Sequence, residues 1–529
     1  MLINTRLLSW LTVVALSLLV LANLLIHSDS FPFSPDSTSY IEQARSLASH
    51  GAALVNPYEL EESEKSFSTL FPIGFPLILS LFQTLGIDAR ESSVALNWFS
   101  SLVLPLIFYL SFRDALGNSL AILVALLSIS SPGFIAYSGM GLTDVFSLLL
   151  ASASIAIIIN ARSRMPALAA GMLAGTAYSV RNAHAALLIS MAIYFAAIWL
   201  SDKKNRRELM PMAQGFIVGA AIIILPLIIR NFIVFGELNP YSMESSTIGV
   251  LENTRTYLQE FVYEITGHRE AGRVVAWSVS GLFFFASLLC LFAWLGVSSW
   301  NRLNTKQKRT LLLCSIYSII GACIVIAARS RYQWGEPINV RHTMQYAPFF
   351  FAAFFLLSAA GATSSSRSEI KYISIVAITS ILTMHGFRMI YSDSQISIRE
   401  KRANSALSAY KRGRKYLCEE SKNGLLVSNY AYVFRINCSS PVRQWSPVNS
   451  DNSNSIYSPN KIITSLITLS ERYPTKKMMV GLYPGREDVG RNSLPVSDHE
   501  GSDLNAAGWT ILPESVLSSA RTRSTSPSA

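Results

Sequence analysis

Apolar residues along this chain gather into long runs instead of alternating with polar ones. The runs lie at 7–26, 71–86, 92–111, 118–137, 142–160, 166–181, 184–200, 212–230, 276–297, 310–328, 343–363 and 371–391. Most approach the ~20 residues that a helix needs to cross the hydrocarbon core of a bilayer. The run at 71–86 is short and carries Pro72, Gly74 and Pro76; runs so broken are more often interfacial or re-entrant. Counting it as a span, with Arg6 inside, would place two basic clusters outside: Lys203, Lys204, Arg206 and Arg207, then Arg302, Lys306, Lys308 and Arg309. Leaving it out makes both clusters cytoplasmic, together with Arg113, Arg162, Arg164, Arg367 and Lys371, as the positive-inside bias requires. The pattern predicts an α-helical polytopic membrane protein with about eleven transmembrane helices.

This topology sends 27–91, the turns near 138–143 and 181–184, the loops 231–275 and 329–342, and the tail from 392 to the outer side. Residues 1–391 are then a transmembrane domain whose first outer loop, 27–91, carries interfacial helices. The tail at 392–517 reads as a small α/β extracytoplasmic domain, with strands at 424–429, 478–483 and 509–512 and helices at 394–417 and 461–472. Residues 518–529, rich in Ser and Thr with Pro527, have the composition of a disordered tail. No internal repeat is visible.

Half of the residues are apolar and 15% are charged, against roughly a quarter charged in soluble domains. The net charge of +11 invites a nucleic-acid reading. Its basic residues sit in short loops between apolar runs, however, so topology accounts for them and no nucleic-acid partner is expected. Arg6 followed by a run from 7 to 26 is long for a signal-peptide core and lacks a small-x-small cleavage site, which predicts an uncleaved first helix with a cytoplasmic N-terminus. Five cysteines show no metal spacing. Cys290, Cys314 and Cys323 lie in apolar spans as packing residues, while Cys418 and Cys438 share the polar tail and could form a disulfide in an oxidising compartment.

Candidate chemistry is concentrated at the outer edge. Residues 34–40, Ser-Pro-Asp-Ser-Thr-Ser-Tyr, open a helix that closes near Gly51, a suitable C′ residue. Tyr40, Ile41, Ala44, Leu47 and Ala48 share one face of it, as in an interfacial helix. Asp36 at its start reads as an N-cap carboxylate or as a catalytic one, and the two roles are compatible. Asp144 begins the run at 142–160, where an acid alone is more often a cap. Arg181 precedes Asn182 in an outer turn, Arg230 ends a span, and Arg341-His342 heads another beside Arg329 and Arg331. An arginine at a helix end often only snorkels to lipid phosphates. Acids and arginines converging on one membrane surface nevertheless suit an enzyme that handles a lipid-linked phosphate.

The order of several short motifs resembles the GT-C class of integral-membrane glycosyltransferases, particularly bacterial relatives of protein O-mannosyltransferases and of the lipid A aminoarabinose transferase. The matching residues are Pro35-Asp36-Ser37-Thr38-Ser39-Tyr40 with Ala44 and Gly51, then Phe71-Pro72-Ile73-Gly74-Phe75-Pro76. Gly141-Leu142-Thr143-Asp144 follows, then Arg230-Asn231 with Phe235-Gly236-Glu237-Leu238-Asn239-Pro240, Val340-Arg341-His342 with Pro348, and Leu426-Val427-Ser428-Asn429-Tyr430. The resemblance implies a polyprenyl-phosphate-linked sugar donor. Transfer would occur on the periplasmic face of a bacterial inner membrane, to a lipid, glycan or protein acceptor. It implies Asp36 as the catalytic aspartate. Arg181, Arg341, His342 and Arg230 are the candidate donor-phosphate ligands, with Tyr40 and Asp144 as further active-site candidates. Two positions depart from the family pattern: Ser37 stands where many members have a second acid, and His342 where many have an aromatic residue. The first weakens the case for a bound divalent metal, and no metal ligand or other cofactor is assigned. The competing reading is a multi-span transporter or flippase, which also has many spans and few edge charges. The absence of a repeat and of mid-bilayer charge counts against it. A non-catalytic scaffold would leave the one-sided array of polar groups unexplained.

Overall fold

The computed structural model describes residues 5–26, 32–55, 66–68, 71–201, 206–240, 245–278, 280–281, 297, 300–332, 337–364, 418, 425–428, 434–436, 442–444, 478–482 and 510–511. Its helices are α1 (Thr5–Ile26), α2 (Pro35–His50), α3 (Gly74–Thr84), α4 (Ala89–Leu116), α5 (Asn118–Ile129), α6 (Pro132–Tyr137), α7 (Asp144–Asn160), α8 (Arg164–Val180), α9 (Ala185–Ser201), α10 (Arg206–Phe235), α11 (Val250–Thr266) and α12 (Arg269–Trp277), followed by Thr305–Arg331, Val340–Thr343 and Ala347–Ser364. Two compact units interleave in sequence: one comprises Met1–Ser28, Thr69–Phe75 and Ser93–Ile396, the other Asp29–Ser68, Pro76–Ser92 and Ser397–Ala529.

Among the described residues, five helices are long and apolar enough to cross a membrane: Leu7–Ile26, Ala89–Leu116, Asn182–Leu200, Leu209–Phe235 and Thr305–Arg331. The run at 71–86 yields only α3. Its 11 residues reach about 16 Å, half of a hydrocarbon core about 30 Å thick, in keeping with a segment that does not cross. Most of 276–297 and all of 371–391 lie outside the described residues.

The run at 118–137 is not one helix but α5 and α6, broken at Ser130 and Ser131. The Ser131 side chain accepts from the Phe134 N–H, and Pro132 occupies the first turn of α6, where its missing N–H costs nothing. The stretch 231–275 carries helices of its own, since α11 and α12 occupy its second half. The apolar face of α11 buries Tyr257, Leu258, Phe261 and Ile265, with Phe261 edge-on to Phe350 at 5.3 Å.

The first unit is held together by close helix contacts. Between α8 and α10 the helices meet at glycines: a Cβ on Gly171 would lie 2.1 Å from the Phe216 carbonyl oxygen, and one on Gly219 2.1 Å from that of Leu168. With hydrocarbon on either side, packing and not hydrophobicity drives such association, and small residues let the backbones approach. Polar side chains add buried links. Ser17 donates to the Leu102 carbonyl at 2.9 Å, and Ser154 to that of Ala170 at 2.8 Å.

In the second unit, α2 begins with Ser34 as its N-cap. The Ser34 hydroxyl accepts from the Ser37 N–H, Ser37 answers the Ser34 N–H, and Gly51 closes the helix at φ 71°. The cap is therefore Ser34 and not Asp36, which lies one residue inside the first turn with its side chain half-buried. Burial also departs from a single interfacial stripe. Tyr40, Ile41 and Ala44 are buried, but so are Glu42 and Gln43, so α2 is enclosed by protein around much of its circumference. Strands β1 (Leu54–Val55) and β2 (Ser66–Phe67) pair antiparallel. Farther on, β3 (Leu425–Ser428), β4 (Val442–Gln444), β5 (Met478–Leu482) and β6 (Thr510–Ile511) form a sheet of order β4-β3-β5-β6. It is parallel between β3 and its two neighbours and antiparallel between β5 and β6. Strand β4 has only three residues, too few for alternation to be read from sequence. The helices expected at 394–417 and 461–472 and the tail at 518–529 lie outside the described residues.

Candidate active site

Asp144 is the organising residue of the first unit. It opens α7, where a helix N-terminus favours negative charge, and is 0% exposed. The preceding turn is fixed from α4: the Asn97 amide donates to the Met140 carbonyl at 2.6 Å and to that of Leu142, while Ser101 donates to the Ser138 carbonyl at 3.3 Å. From the far side, the Gln345 amide donates to the Asp144 backbone oxygen at 3.0 Å.

Two arginines distant in sequence meet this carboxylate. Arg341 Nε lies 2.9 Å from Oδ1 and 2.8 Å from Oδ2, and Arg181 donates to Oδ1 through Nη1. Both guanidinium side chains are 13% exposed. Two guanidiniums thus meet on one buried carboxylate.

Local structure explains how each arginine is presented. Arg181 ends α8 in extended conformation (φ −151°, ψ 117°), and its carbonyl accepts from the His184 N–H at 3.0 Å. Arg341 stands in the helical turn Val340–Thr343, capped by Asn339, whose side chain accepts from the Arg341 N–H at 3.0 Å. That turn packs on α6 and α11. Glu264 accepts from the Gly133 N–H at 2.8 Å, and a Cβ on Gly133 would strike the Val340 carbonyl at 2.7 Å. Burial raises the pKa of Glu260 on the same helix, opposed by Arg269 at 3.5 Å.

His342 supports this arrangement from behind. Arg329 donates to its Nε2. A guanidinium has no lone pair, so Nε2 must accept, while Nδ1 lies 3.2 Å from the Asn339 backbone nitrogen and 3.3 Å from its carbonyl oxygen. Burial first, then Arg329, Arg181 and Arg341, hold the His342 pKa well below its ordinary value. A neutral His342 orients neighbours but brings no charge to a phosphate.

The sequence candidates therefore divide. Asp144, Arg181 and Arg341 come together, with His342 alongside. Arg230 makes a local arrangement at the end of α10, donating to Asn231 Oδ1 at 3.0 Å and lying 5.0 Å from the Phe235 ring centroid. Asp36 and Tyr40 belong to the second unit, where Tyr40 is 3% exposed. Cys418 is disulfide-bonded; Cys438 lies outside the described residues. Sequence reasoning missed Asn97 and Gln345. For Asn97 a signal existed, since a lone amide within an apolar run must find partners.

No protein-family model matches the chain, and no curated protein matches it. Solved structures do. The apo form of ArnT from Cupriavidus metallidurans superposes with a TM-score of 0.56 at 12% identity, covering 97% of this chain and 99% of that one. The same enzyme bound to undecaprenyl phosphate gives 0.55 at 11%, covering 95% and 98%. An oligosaccharyltransferase from Archaeoglobus fulgidus in its apo form gives 0.52 at 12%, over 89% of this chain and 69% of that one. At such identities the likeness speaks for architecture, and the chain has the fold of the GT-C integral-membrane enzymes.

Proposed function

We propose that the protein is a glycosyltransferase that moves a sugar from a polyprenyl-phosphate carrier to an acceptor hydroxyl or amine on the periplasmic face of a bacterial inner membrane. About eleven helices would span, with the N-terminus cytoplasmic and the C-terminal domain periplasmic. The observation that carries the reading is the Arg181–Asp144–Arg341 trio, two guanidiniums on one buried carboxylate, in a fold whose member ArnT was crystallised with undecaprenyl phosphate. Arginine suits this task because its planar fork matches phosphate geometry.

In the proposed reaction, the acceptor oxygen or nitrogen attacks the anomeric carbon of the sugar. The bond from that carbon to the phosphate oxygen breaks, and its electron pair leaves with the polyprenyl phosphate. Arg181 and Arg341 stabilise the charge that grows on this oxygen. The Asp36 carboxylate takes the acceptor proton, a contribution of about 100- to 10,000-fold. A single displacement inverts the anomeric centre. Asp144 holds the two arginines in position.

The test is sugar transfer by purified protein from a panel of radiolabelled polyprenyl-phosphate sugars, wild type against Asp36→Asn. Transfer lost in the variant, at normal expression, supports the reading. Inactivity of the wild type with every donor overturns the enzyme class, and equal activity in both proteins overturns the role of Asp36.

A further inference from the structure

Helix α2, which carries Asp36, is gripped by two arginine forks within the second unit. Glu42 is paired with Arg435, a residue 393 positions away: Arg435 Nε donates to Oε1 at 2.8 Å and Nη2 to Oε2 at 2.5 Å. Both partners are buried, at 8% and 7% exposure. Arg435 lies in a helical turn at 434–436 that follows β3, and its neighbours Phe434 and Ile436 are buried at 0% and 4%. One turn along α2, Arg45 Nη2 donates to both Asp88 oxygens at 3.1 and 3.0 Å, and its Nη1 to the Ile436 carbonyl at 3.4 Å. Burial alone would raise the Asp88 pKa, but the Arg90 N–H and the Arg45 charge outweigh it and hold the carboxyl below its usual value.

Residue types and spacing give this clamp a direction. Glu42 is six residues beyond Asp36, which puts it about 240° around the helix and about 9 Å along it. The fork therefore grips a different face from the one that carries Asp36. A buried ion pair is a weak source of stability compared with apolar packing, but a bidentate one permits a single geometry. For a catalytic carboxylate geometry decides the rate, since a misplacement of about 1 Å can cost about 100-fold.

We propose that Arg435 and Glu42 form a positioning pair through which the C-terminal part of the chain sets the orientation of α2, and with it the carboxylate of Asp36. The inference rests on Asp36 being the proton acceptor. The pair acts through the placement of Asp36 and not on the donor phosphate, so its loss lowers turnover and leaves donor affinity intact.

The experiment combines steady-state transfer kinetics with amide hydrogen exchange on full-length protein in lipid nanodiscs. It compares wild type, Arg435→Ala, Arg435→Lys, and the exchanged pair Glu42→Arg with Arg435→Glu. Expected for Arg435→Ala are faster exchange across α2, unaltered exchange in Thr305–Arg331, a kcat lowered at least tenfold and an unchanged donor KM. Arg435→Lys keeps the charge without the fork and falls between. Partial recovery of kcat in the exchanged pair supports a direct pairing. Unchanged exchange in α2 of Arg435→Ala overturns the inference whatever the activity, and so does a wild-type kcat in that variant. Failure of the functional reading has a different signature: an Asp36→Asn variant that transfers normally.

Discussion

The guanidinium of Arg341 sits with Nε 2.9 and 2.8 Å from the two carboxylate oxygens of Asp144, a residue 197 positions earlier in the chain. This pairing joins the start of α7 to the short turn before Ala347–Ser364. In the proposed reaction Asp144 orders the two arginines that would meet a phosphate.

Removing that carboxylate should therefore damage structure as well as activity. Asp144→Ala is expected to lower stability by about 3 kcal/mol, the lower end for breaking a buried pair and stranding its partners. Thermal denaturation in detergent checks this, with Asp36→Asn as the contrast, since Asp36 is only half-buried and its loss should cost less than that of Asp144. Equal melting temperatures for Asp144→Ala and wild type would remove Asp144 from its organising role.

Replacing Arg341 by Lys keeps the charge but loses the planar fork. Donor saturation should then move to higher concentration and the transfer rate should fall by about tenfold or more, as when one donor to a developing oxyanion is removed. An Arg341→Lys variant with normal donor KM and normal kcat would place the phosphate elsewhere.

Acidification should destabilise the protein through His342. Burial and three nearby arginines keep its ring neutral in the folded state, whereas the unfolded ring titrates near 6.5. Below that pH the unfolded chain binds a proton that the native one refuses, so stability falls as pH drops and is intact above it. Melting temperatures between pH 7.5 and 5.5 should decline more steeply for wild type than for His342→Asn. Parallel slopes would assign the acid sensitivity to other groups.

At the α8–α10 contact, Gly171→Leu should cost more than about 3 kcal/mol, above the usual cost of overpacking. The new side chain would meet the Phe216 backbone 2.1 Å from its Cβ, and backbone yields less than a side chain. Expression of folded protein, read by size-exclusion chromatography, should fall sharply. A monodisperse variant at wild-type yield would show that the helices can separate without loss of the fold.

The membrane class of the protein, several of its helices and the start of α2 are legible along the chain, because these depend on local signals. Long apolar runs need no tertiary partner to be recognised. The start of α2 near Ser34-Pro35 and its stop at Gly51 are also local, since capping and positive φ depend on neighbours a few residues away, although the cap falls on Ser34 and not on Asp36. Tertiary structure decided the rest. Asp144 read alone as a cap, because nothing near it in sequence announces Arg181 or Arg341; only folding brings residues 37 and 197 positions apart onto one carboxylate. The helical character of α11 was also hidden, since its polar stretch contains Glu260 and Glu264, whose burial is sustained by partners from elsewhere in the chain. The same holds for Glu42, an ordinary charged residue on a short helix until Arg435 arrives from 393 positions away. Periodicity reports which face of an element is apolar, whereas the pairing of buried charges is settled by whichever distant segments the fold packs together.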